Sequence, residues 1–467
     1  MNGIRHSFAM VLFLLLVLPA PPRSPGGEQT NIRGIGMART FVADSRGLDA
    51  VGLNPANLGI PDSGRVTVAF MPSGVHIGSD VLTYGMYRDY FTGVDSDGGR
   101  VSRFLTDADK QRIIGAFQDG VGRVSGELEA RPIGISVLVG GVGRFCLTVT
   151  ERLGFDAQIP QEYARFLLYG NTPGSVYDVS ATGMTAQWTR EFGFSFGRPV
   201  PPPSFLKSMA AGIGVKYVQG FGYYELHRMN ASLTTATDGV LRGSIDMMAR
   251  SADIDQLHRS GAGAFTPFPA PAGTGWGFDA GISGEVNDYL RVGLAVTDIG
   301  WIDWQKNVEV AITQSSFVLD NPLMESQRKA VEQALKGTRG PGDPFTTSLP
   351  TKLRAGVALE MSRLPAFRNG FSGEMTVALD YNQGFNDVPG STTHARFSLG
   401  VEYRPIPFLP LRTGIEVGGE DGFNFALGLG LKLGFFELDI ASDNLGWIFD
   451  RSSFSRASAA FGLKFRI

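Results

Sequence analysis

Two pairs of carboxylates are the residues that the sequence best places for acid–base chemistry. Asp298 and Asp303 flank Trp301, and Glu437 and Asp439 stand two residues apart. General acid–base catalysis needs its two groups within reach of one substrate. Side chains alternate between the two faces of a strand, so Asp298 and Asp303 are expected on opposite faces and do not form an acid–base pair. Glu437 and Asp439 share a face, where we interpret them as the solvated lining of a lumen.

Metal and thiol chemistry have little support. The single cysteine, Cys146, excludes an intrachain disulfide and a cysteine-cluster metal site. No histidine has a second histidine or a carboxylate at metal-ligand spacing, so each is interpreted as a surface or rim residue. The five histidines are His6, His76, His227, His258 and His394. We also identify no Gly-x-Ser-x-Gly nucleophile elbow and no phosphate-loop pattern. We therefore expect no enzyme, no cofactor and no metal.

The composition narrows the class of protein. The 42 Lys and Arg residues are spread along the chain without a cluster, and the net charge is −3, so nucleic-acid binding is not expected. Glycine accounts for 62 of the 467 residues, against a usual share of about 7%. Because glycine weakens strands, this excess predicts tight turns or a crowded wall that curves around a lumen.

The elements that must position these residues are strands. From Phe425 to Leu433, apolar residues alternate with Ala426, Gly428, Gly430 and Lys432. The same alternation runs through Phe461, Leu463, Phe465 and Ile467, through Ile213, Val215 and Tyr217, and through Leu353, Val357 and Leu359. One apolar face and one small or charged face, repeated along an exported chain, is typical of an all-β transmembrane antiparallel β-barrel with a wet lumen.

Strand-like stretches recur from Arg65 to Ile467. They fall at 65–70, 79–87, 125–139, 143–155, 177–197, 208–224, 225–237, 240–253, 275–287, 290–304, 306–318, 349–362, 373–385, 395–405, 411–419, 423–432, 433–446 and 455–467. Some of these merge or extend into loops, so we expect about 14 membrane strands, within a range of about 12 to 16.

The chain before the barrel divides into two parts. Arg5 and His6 precede an apolar run from Phe8 to Leu18, which predicts a signal peptide within residues 1–27, since the run is too short for a membrane helix. Residues 28–64 are rich in small residues and lack strand alternation. Pro55 fixes its own backbone and keeps Asn54 out of a helix, so this part is expected to be a compact, turn-rich plug preceding a barrel of residues 65–467.

Three helices are expected in loops over one mouth of the barrel. Thr106 to Asp109 forms a capping box before Ile113, Ile114 and Phe117. Pro160 opens a second helix with Tyr163, Phe166 and Leu167, and Asn321-Pro322 opens a third with Met324, Val331 and Leu335. Ile113, Ile114 and Phe117 must cover something, so that helix is either a lid or a site for a protein partner.

Aromatic residues near the ends of the expected strands predict belts at the two membrane interfaces. They are Trp188, Trp276, Trp301, Trp304 and Trp447, with Tyr217, Tyr223 and Tyr224.

Asn54, Pro55 and Ala56, just before the first strand, resemble the N-terminal hatch of FadL-type fatty-acid transporters and the corresponding part of PorV-type barrels. Further stretches resemble an uncharacterised family of Gram-negative outer-membrane barrels. They are 168–171, 214–220, 296–301 with Trp304, and 348–353. The resemblance implies a barrel with an N-terminal plug and no established substrate. The chain departs from the usual barrel pattern by ending in Ile467 rather than an aromatic residue.

Two functions remain open at this point. The first is passage of a small hydrophobic or amphipathic molecule across the outer membrane, gated by the plug. The second is a scaffold or secretion accessory that displays loops to other cell-envelope proteins. The expected partners are accordingly outer-membrane lipid, a hydrophobic small molecule and envelope proteins.

Overall fold

The computed structural model describes residues 28–62, 64–96, 99–254, 268–321, 324–365, 367, 372–419, 422–445, 452 and 455–467. The predicted signal peptide, His6, His258, Pro322 and Trp447 lie outside these residues.

The described chain is built almost entirely from strands. In chain order they are β1 (Val66–Ser79), β2 (Val94–Ser96), β3 (Gly99–Val101), β4 (Val121–Val139), β5 (Gly143–Pro160), β6 (Val176–Asp178), β7 (Gly183–Val200), β8 (Ser208–Thr235), β9 (Leu241–Ala252), β10 (Gly273–Glu285), β11 (Leu290–Trp304), β12 (Val308–Leu319), β13 (Thr338–Pro341), β14 (Phe345–Ser348), β15 (Lys352–Glu360), β16 (Glu374–Gly384), β17 (Arg396–Arg404), β18 (Leu411–Gly418), β19 (Gly422–Leu433), β20 (Phe436–Ser442) and β21 (Arg456–Arg466).

Fourteen of the described strands close into one antiparallel barrel. They follow each other in the order β1, β4, β5, β7, β8, β10, β11, β15, β16, β17, β18, β19, β20 and β21. The last strand pairs with the first, with Val68 opposite Phe465, so no open edge remains in the wall. The predicted fold class and the expected strand number are confirmed.

The two faces of the wall differ as the alternation predicts. Outward residues such as Phe397, Leu379 and Phe461 are apolar and exposed, whereas inward residues such as Glu402 and Asp380 are buried. An exposed apolar exterior on a closed barrel is the surface that a transmembrane barrel presents to lipid.

The two ends of the barrel have different connections. At one end, here called the terminal mouth, short turns such as 140–142 and 434–435 lie beside Arg65 and Ile467, whose backbones are hydrogen-bonded. At the other end, here called the loop mouth, long connections such as 80–120, 161–182 and 305–351 leave the barrel.

A smaller sheet extends the wall beyond the loop mouth. Strand β8 leaves its barrel neighbour β7 after Glu225 and continues for ten residues, roughly 30 Å at strand rise. There it pairs with β6 and β9, and β9 continues through β12 to β13. An apolar cluster of Trp304, Tyr223, Ile302 and Leu349 joins this sheet to the barrel.

The described helices are short. They are α1 (Ile32–Ile35), α2 (Tyr84–Met86), α3 (Asp107–Gly115), α4 (Gln161–Tyr169) and α5 (Glu325–Lys336). None of the helices in the described ranges is long and apolar enough to cross a bilayer. The predicted loop helices α3, α4 and α5 are confirmed, and all three lie in connections at the loop mouth. Thr106 forms the predicted capping box of α3.

One predicted strand is wrong. Residues 79–87 form a turn followed by α2, because the Thr83 side chain accepts a hydrogen bond from the Met86 amide and starts a helix there. Two other predicted strands, 208–224 and 225–237, are a single strand, β8.

The aromatic belt is correct for some residues and wrong for others. Trp276 and Trp301 face each other on β10 and β11, point outward and are half exposed, with Tyr217 beside Trp276. Trp304 and Tyr223 are buried in the cluster at the loop mouth, because their positions on β11 and β8 point away from lipid. Trp304 donates a hydrogen bond from Nε1 to Thr347 Oγ1 at 2.9 Å.

The closing seam gives a direct test of the topology. Ile77 of β1 and Ala457 of β21 are cross-strand partners on the outward face. Cysteines at both positions are expected to form a disulfide, because cross-strand Cβ atoms lie within disulfide reach. Non-reducing electrophoresis should show the cross-linked form. The matched control, Ile77→Cys with Leu379→Cys on β16, should not cross-link within one chain, and cross-linking only in the control would contradict the closed order.

Candidate functional site: the lumen segment

Residues 28–62, here called the lumen segment, run through the inside of the barrel. They are nearly all buried, and their side chains contact inward residues of strands around the whole wall. The segment is built from turns. Asn31 caps α1 by accepting from the Gly34 amide, and its Nδ2 donates to the Asp49 carbonyl at 2.9 Å, which folds the segment back on itself.

Asn54, Pro55 and Ala56 form a second turn against the wall. Asn54 Oδ1 accepts from the Ala56 amide at 3.1 Å, and Pro55 occupies the first position of a 3₁₀ helix (Pro55–Gly59). Asn54 Nδ2 donates to Ser283 Oγ on β10 at 2.8 Å. The motif therefore both shapes the turn and attaches it to the barrel.

Glycines of the wall make room for the lumen segment. A Cβ atom at Gly212 would overlap the carbonyl of Pro55, and one at Gly400 would lie 2.7 Å from the Met37 carbonyl oxygen. The Cα atom of Gly36 would lie 2.9 Å from a Cβ at Gly428. The wall thus contacts the segment backbone to backbone, which explains part of the glycine excess in the sequence.

Ion pairs connect the lumen segment to the wall. Arg33 donates two hydrogen bonds to Glu402, at 2.7 and 2.8 Å, and one to Asp44 at 3.0 Å. Lys464 contacts both oxygens of Asp49, at 2.7 and 2.8 Å. Two further pairs, Glu28 with Arg354 and Arg39 with Asp443, join the segment to β15 and to the chain just after β20.

Asp380 on β16 holds the backbone of the lumen segment. Its Oδ2 accepts from the amides of Phe41 and Val42, at 2.6 and 2.8 Å. Two backbone donors on one carboxylate oxygen fix the direction of the chain at that point, since an unpaired buried amide is costly.

Other inward charges pair within the wall. Lys216 contacts Asp279 at 2.9 Å and Asp298 at 2.5 Å, and Arg152 contacts Glu191 at 3.0 Å. Asp298 therefore points inward, and Asp303 points outward, where it accepts from Trp301 Nε1 at 3.1 Å. The two carboxylates lie on opposite faces, as predicted.

Two interpretations of inward residues need correction. Glu437 and Asp439 do share the lumen face, but they are buried and paired with Arg466 and Arg412 rather than solvated. His76 is not a surface residue. It is fully buried, with Nδ1 3.6 Å from Asp443 Oδ1, because β1 and the chain after β20 meet across the closing seam.

The expectation that the sequence lacks a Gly-x-Ser-x-Gly pattern is wrong, because one surrounds Ser195. Gly193, Ser195 and Gly197 have the spacing of a nucleophile elbow, in which the serine sits on a sharp strand-to-helix turn. Here Ser195 lies inside β7, with cross-strand partners Cys146 and Gly214 on either side. The elbow geometry is absent from this strand.

The apolar side of helix α3 packs against other parts of the same protein. Ile113 is buried, and Phe117 lies close to Gly122 and Val81 at the rim of the barrel. Helix α3 also contacts α4, since Lys110 lies 5.0 Å from the ring of Tyr169.

Burial alone would raise the pKa of Asp44, but the nearby guanidinium groups of Arg46, Arg33 and Arg291 lower this pKa below its usual value. Glu28 behaves in the same way, because Arg354 and Arg396 outweigh its burial and lower its pKa. A carboxylate with a lowered pKa contributes stability above its unfolded pKa and loses it as the pH falls through the folded value.

The lumen segment should therefore stay attached until the pH falls below about 4, the usual range for these carboxylates. Hydrogen–deuterium exchange of residues 28–62, corrected for intrinsic rates, should show unchanged protection from neutral pH to mild acid, then a loss. Peptides from β4 and β5 serve as the reference. Loss of protection in the lumen segment already at mild acid would contradict the ion-pair account.

Gly212→Ala should loosen the turn at Pro55, because overpacking of this kind costs about 1–3 kcal/mol. Trypsin cleavage after Arg33, Arg39 and Arg46 reports the release, which should be faster in the variant. Gly140→Ala is the matched control, since a Cβ there meets nothing within 4 Å. Equal cleavage of the two variants would show that the glycine contact does not hold the segment.

The chain resembles several known proteins. A family described as "Family of unknown function (DUF5723)" matches residues 60–443. No curated protein sequence matches significantly.

Solved structures with a similar fold include the toluene transporter TodX of Pseudomonas putida, with 10% identity and a TM-score of 0.44 over 93% of this chain and 96% of that one. Another is a FadL homologue of Pseudomonas aeruginosa, with 11% identity and a TM-score of 0.42 over 96% and 100%. Likenesses this weak assign neither a substrate nor a mechanism.

Proposed function

The chain belongs to this family of unknown function, DUF5723, and we propose from its own structure that it is an outer-membrane barrel that passes small hydrophobic or amphipathic molecules. The exposed apolar exterior supports a place in a membrane. The contrast between short turns and long loops supports an orientation with the terminal mouth toward the periplasm, as in outer-membrane barrels of Gram-negative bacteria.

The observation that carries this proposal is how the lumen segment is held. It is joined to the wall by ion pairs and hydrogen bonds, including those of Arg33, Asp49 and Glu28, as well as by three apolar clusters. Buried ion pairs add little net stability compared with apolar packing, because both charges lose their hydration. A segment that fills the lumen permanently gains little stability from these ion pairs. A movable plug, in contrast, can exchange its ion pairs for water when it leaves the lumen.

In this proposal the lumen segment is the plug and the barrel rests closed. Asn54, Pro55 and Ala56 attach the plug to β8 and β10 and serve as its pivot, since they bind the wall through the Asn54 side chain and through backbone contact. Ile113, Ile114 and Phe117 belong to a lid over the loop mouth, which the burial of Ile113 and the position of Phe117 beside Gly122 support.

The alternative function is a scaffold for cell-envelope proteins. The connection between β1 and α3 supports it, because Phe104, Phe91 and Tyr84 are exposed there. Exposed apolar groups close together on a loop often mark a partner site. A scaffold does not require the plug to move.

Uptake of a hydrophobic fluorescent probe by intact cells separates the two functions. Cells that carry the wild-type barrel should take up N-phenylnaphthylamine faster than cells without it, and deletion of residues 28–62 should also admit small polar probes, because the lumen is then unfilled. Heat-modifiable gel mobility checks that the deletion variant is folded. Uptake that is the same with and without the wild-type barrel, for apolar and polar probes alike, would leave the scaffold.

A further inference from the structure

The outward side of the wall carries a large concave site, here called the wall cleft. It has a volume of about 1030 Å³ and spans β18, β19, β20, β21, β1 and β4. Its rim is formed by exposed apolar side chains that point toward lipid. These are Leu128, Val75, Phe461, Ile440, Leu429 and Leu411.

Small residues on both sides of the wall make this region concave. Ala459 and Ser442 point outward in the floor of the wall cleft, and the inward positions Gly428, Ala441 and Ala460 also reach it. Behind them, Ile32 and Ile35 of α1 pack on Ala460, and Gly36 contacts Gly428. The wall here is a single layer of strands, and the lumen segment packs directly against its inner side.

The strand geometry beside the wall cleft bends the wall in the same place. Met71 has a positive φ and precedes Pro72 on β1, where the register against β21 shifts. Directly opposite on β4, the register against β5 shifts at Arg131 and Pro132. Proline donates no backbone hydrogen bond and a bulge bends its strand, so the two neighbouring strands turn together.

The chemistry of the wall cleft selects an uncharged ligand. Arg412 is the charged residue in its lining, and its guanidinium is buried on the lumen side, where it donates to Glu402 at 2.7 Å and to Asp439 at 2.5 Å. The remaining lining is apolar apart from Ser73 and Ser442. The volume is at the upper end of ordinary ligand pockets, roughly 300–1,000 Å³.

We propose that the wall cleft binds the acyl chain of a lipid in the surrounding membrane. The site opens onto the apolar exterior, where lipid chains are the molecules present at high concentration. A hydrocarbon chain fills a concave apolar surface that no charged group reaches, and leaves its own head group at the membrane interface. This binding does not depend on whether the barrel passes molecules, because it requires only that the wall faces lipid.

Photo-cross-linking in lipid nanodiscs tests the proposal. The wild-type barrel is reconstituted with phosphatidylcholine that contains a small fraction of diazirine-acyl phosphatidylcholine, illuminated and mapped by peptide mass spectrometry. Labels should concentrate on β19, β20 and β21. Ala459→Phe, which fills the floor, should reduce those labels severalfold. Ala355→Phe, which adds the same ring to the outward face of β15, should leave them unchanged.

Heat-modifiable mobility confirms that both variants are folded before they are compared. Labels spread evenly around the barrel, or labels that persist in Ala459→Phe, would overturn the proposal.

A free long-chain fatty acid, added as competitor, distinguishes a membrane lipid from a free hydrophobic molecule as the ligand. Retention of the label supports a lipid chain, and efficient displacement would assign the wall cleft to a free hydrophobic molecule and overturn the choice of lipid. Uptake of N-phenylnaphthylamine should be equal in the two variants. A negative result for lipid binding is therefore distinct from a negative result for transport.

Discussion

Backbone amides and carbonyls in a bilayer have no water to bind, and this constraint organises the whole molecule. It requires the wall to close, which the pairing of β1 with β21 achieves. Closure then fixes an inside and an outside, and the two-residue period of each strand assigns every side chain to one of them. The apolar residues face lipid, so most charged residues of the same strands face the lumen, and Asp303 near the end of β11 is an exception.

Several of those inward charges have their ion-pair partners in the lumen segment. Glu402, Arg354 and Lys464 each have a partner in residues 28–62, namely Arg33, Glu28 and Asp49. Without the segment they would need water to remain ionised, because an isolated buried charge is very costly. The glycines of the wall also favour these ion pairs, since they let the segment approach closely enough for the pairs to form. Wall and segment are therefore complementary in both charge and shape.

Much of the fold could be predicted because its signal is local. The alternation from Phe425 to Leu433 and the capping box at Thr106 are both visible within a few residues, and both are correct. The strand expected at 79–87 does not form, because the Thr83 side chain accepts a hydrogen bond from the Met86 amide and starts a helix there. Trp304 was expected at a lipid interface but is buried, because the position of a tryptophan near a strand end does not show which face of the strand its side chain occupies.

The site itself was less predictable, because its contacts join distant parts of the chain. Lys464 and Asp49 are separated by 415 residues, and the sequence around each residue does not indicate that the two form a pair. His76 was interpreted as a surface residue for the same reason, since Asp443 approaches it only when the barrel closes. The turn at Asn54 and Pro55 could be predicted from local chemistry, but its attachment to Ser283 could not.

The filled lumen bears on both proposed functions. A scaffold needs a stable barrel, and apolar side chains inside it would provide stability at less cost in lost hydration than ion pairs do. The segment that fills the lumen instead combines buried apolar residues such as Phe41 and Leu48 with three paired arginines, Arg33, Arg39 and Arg46. Charges that are paired when the segment is in place and hydrated when it is out make both states accessible. A segment held by apolar contacts alone would favour the closed state more strongly, and this difference is the argument for the proposed passage over a scaffold.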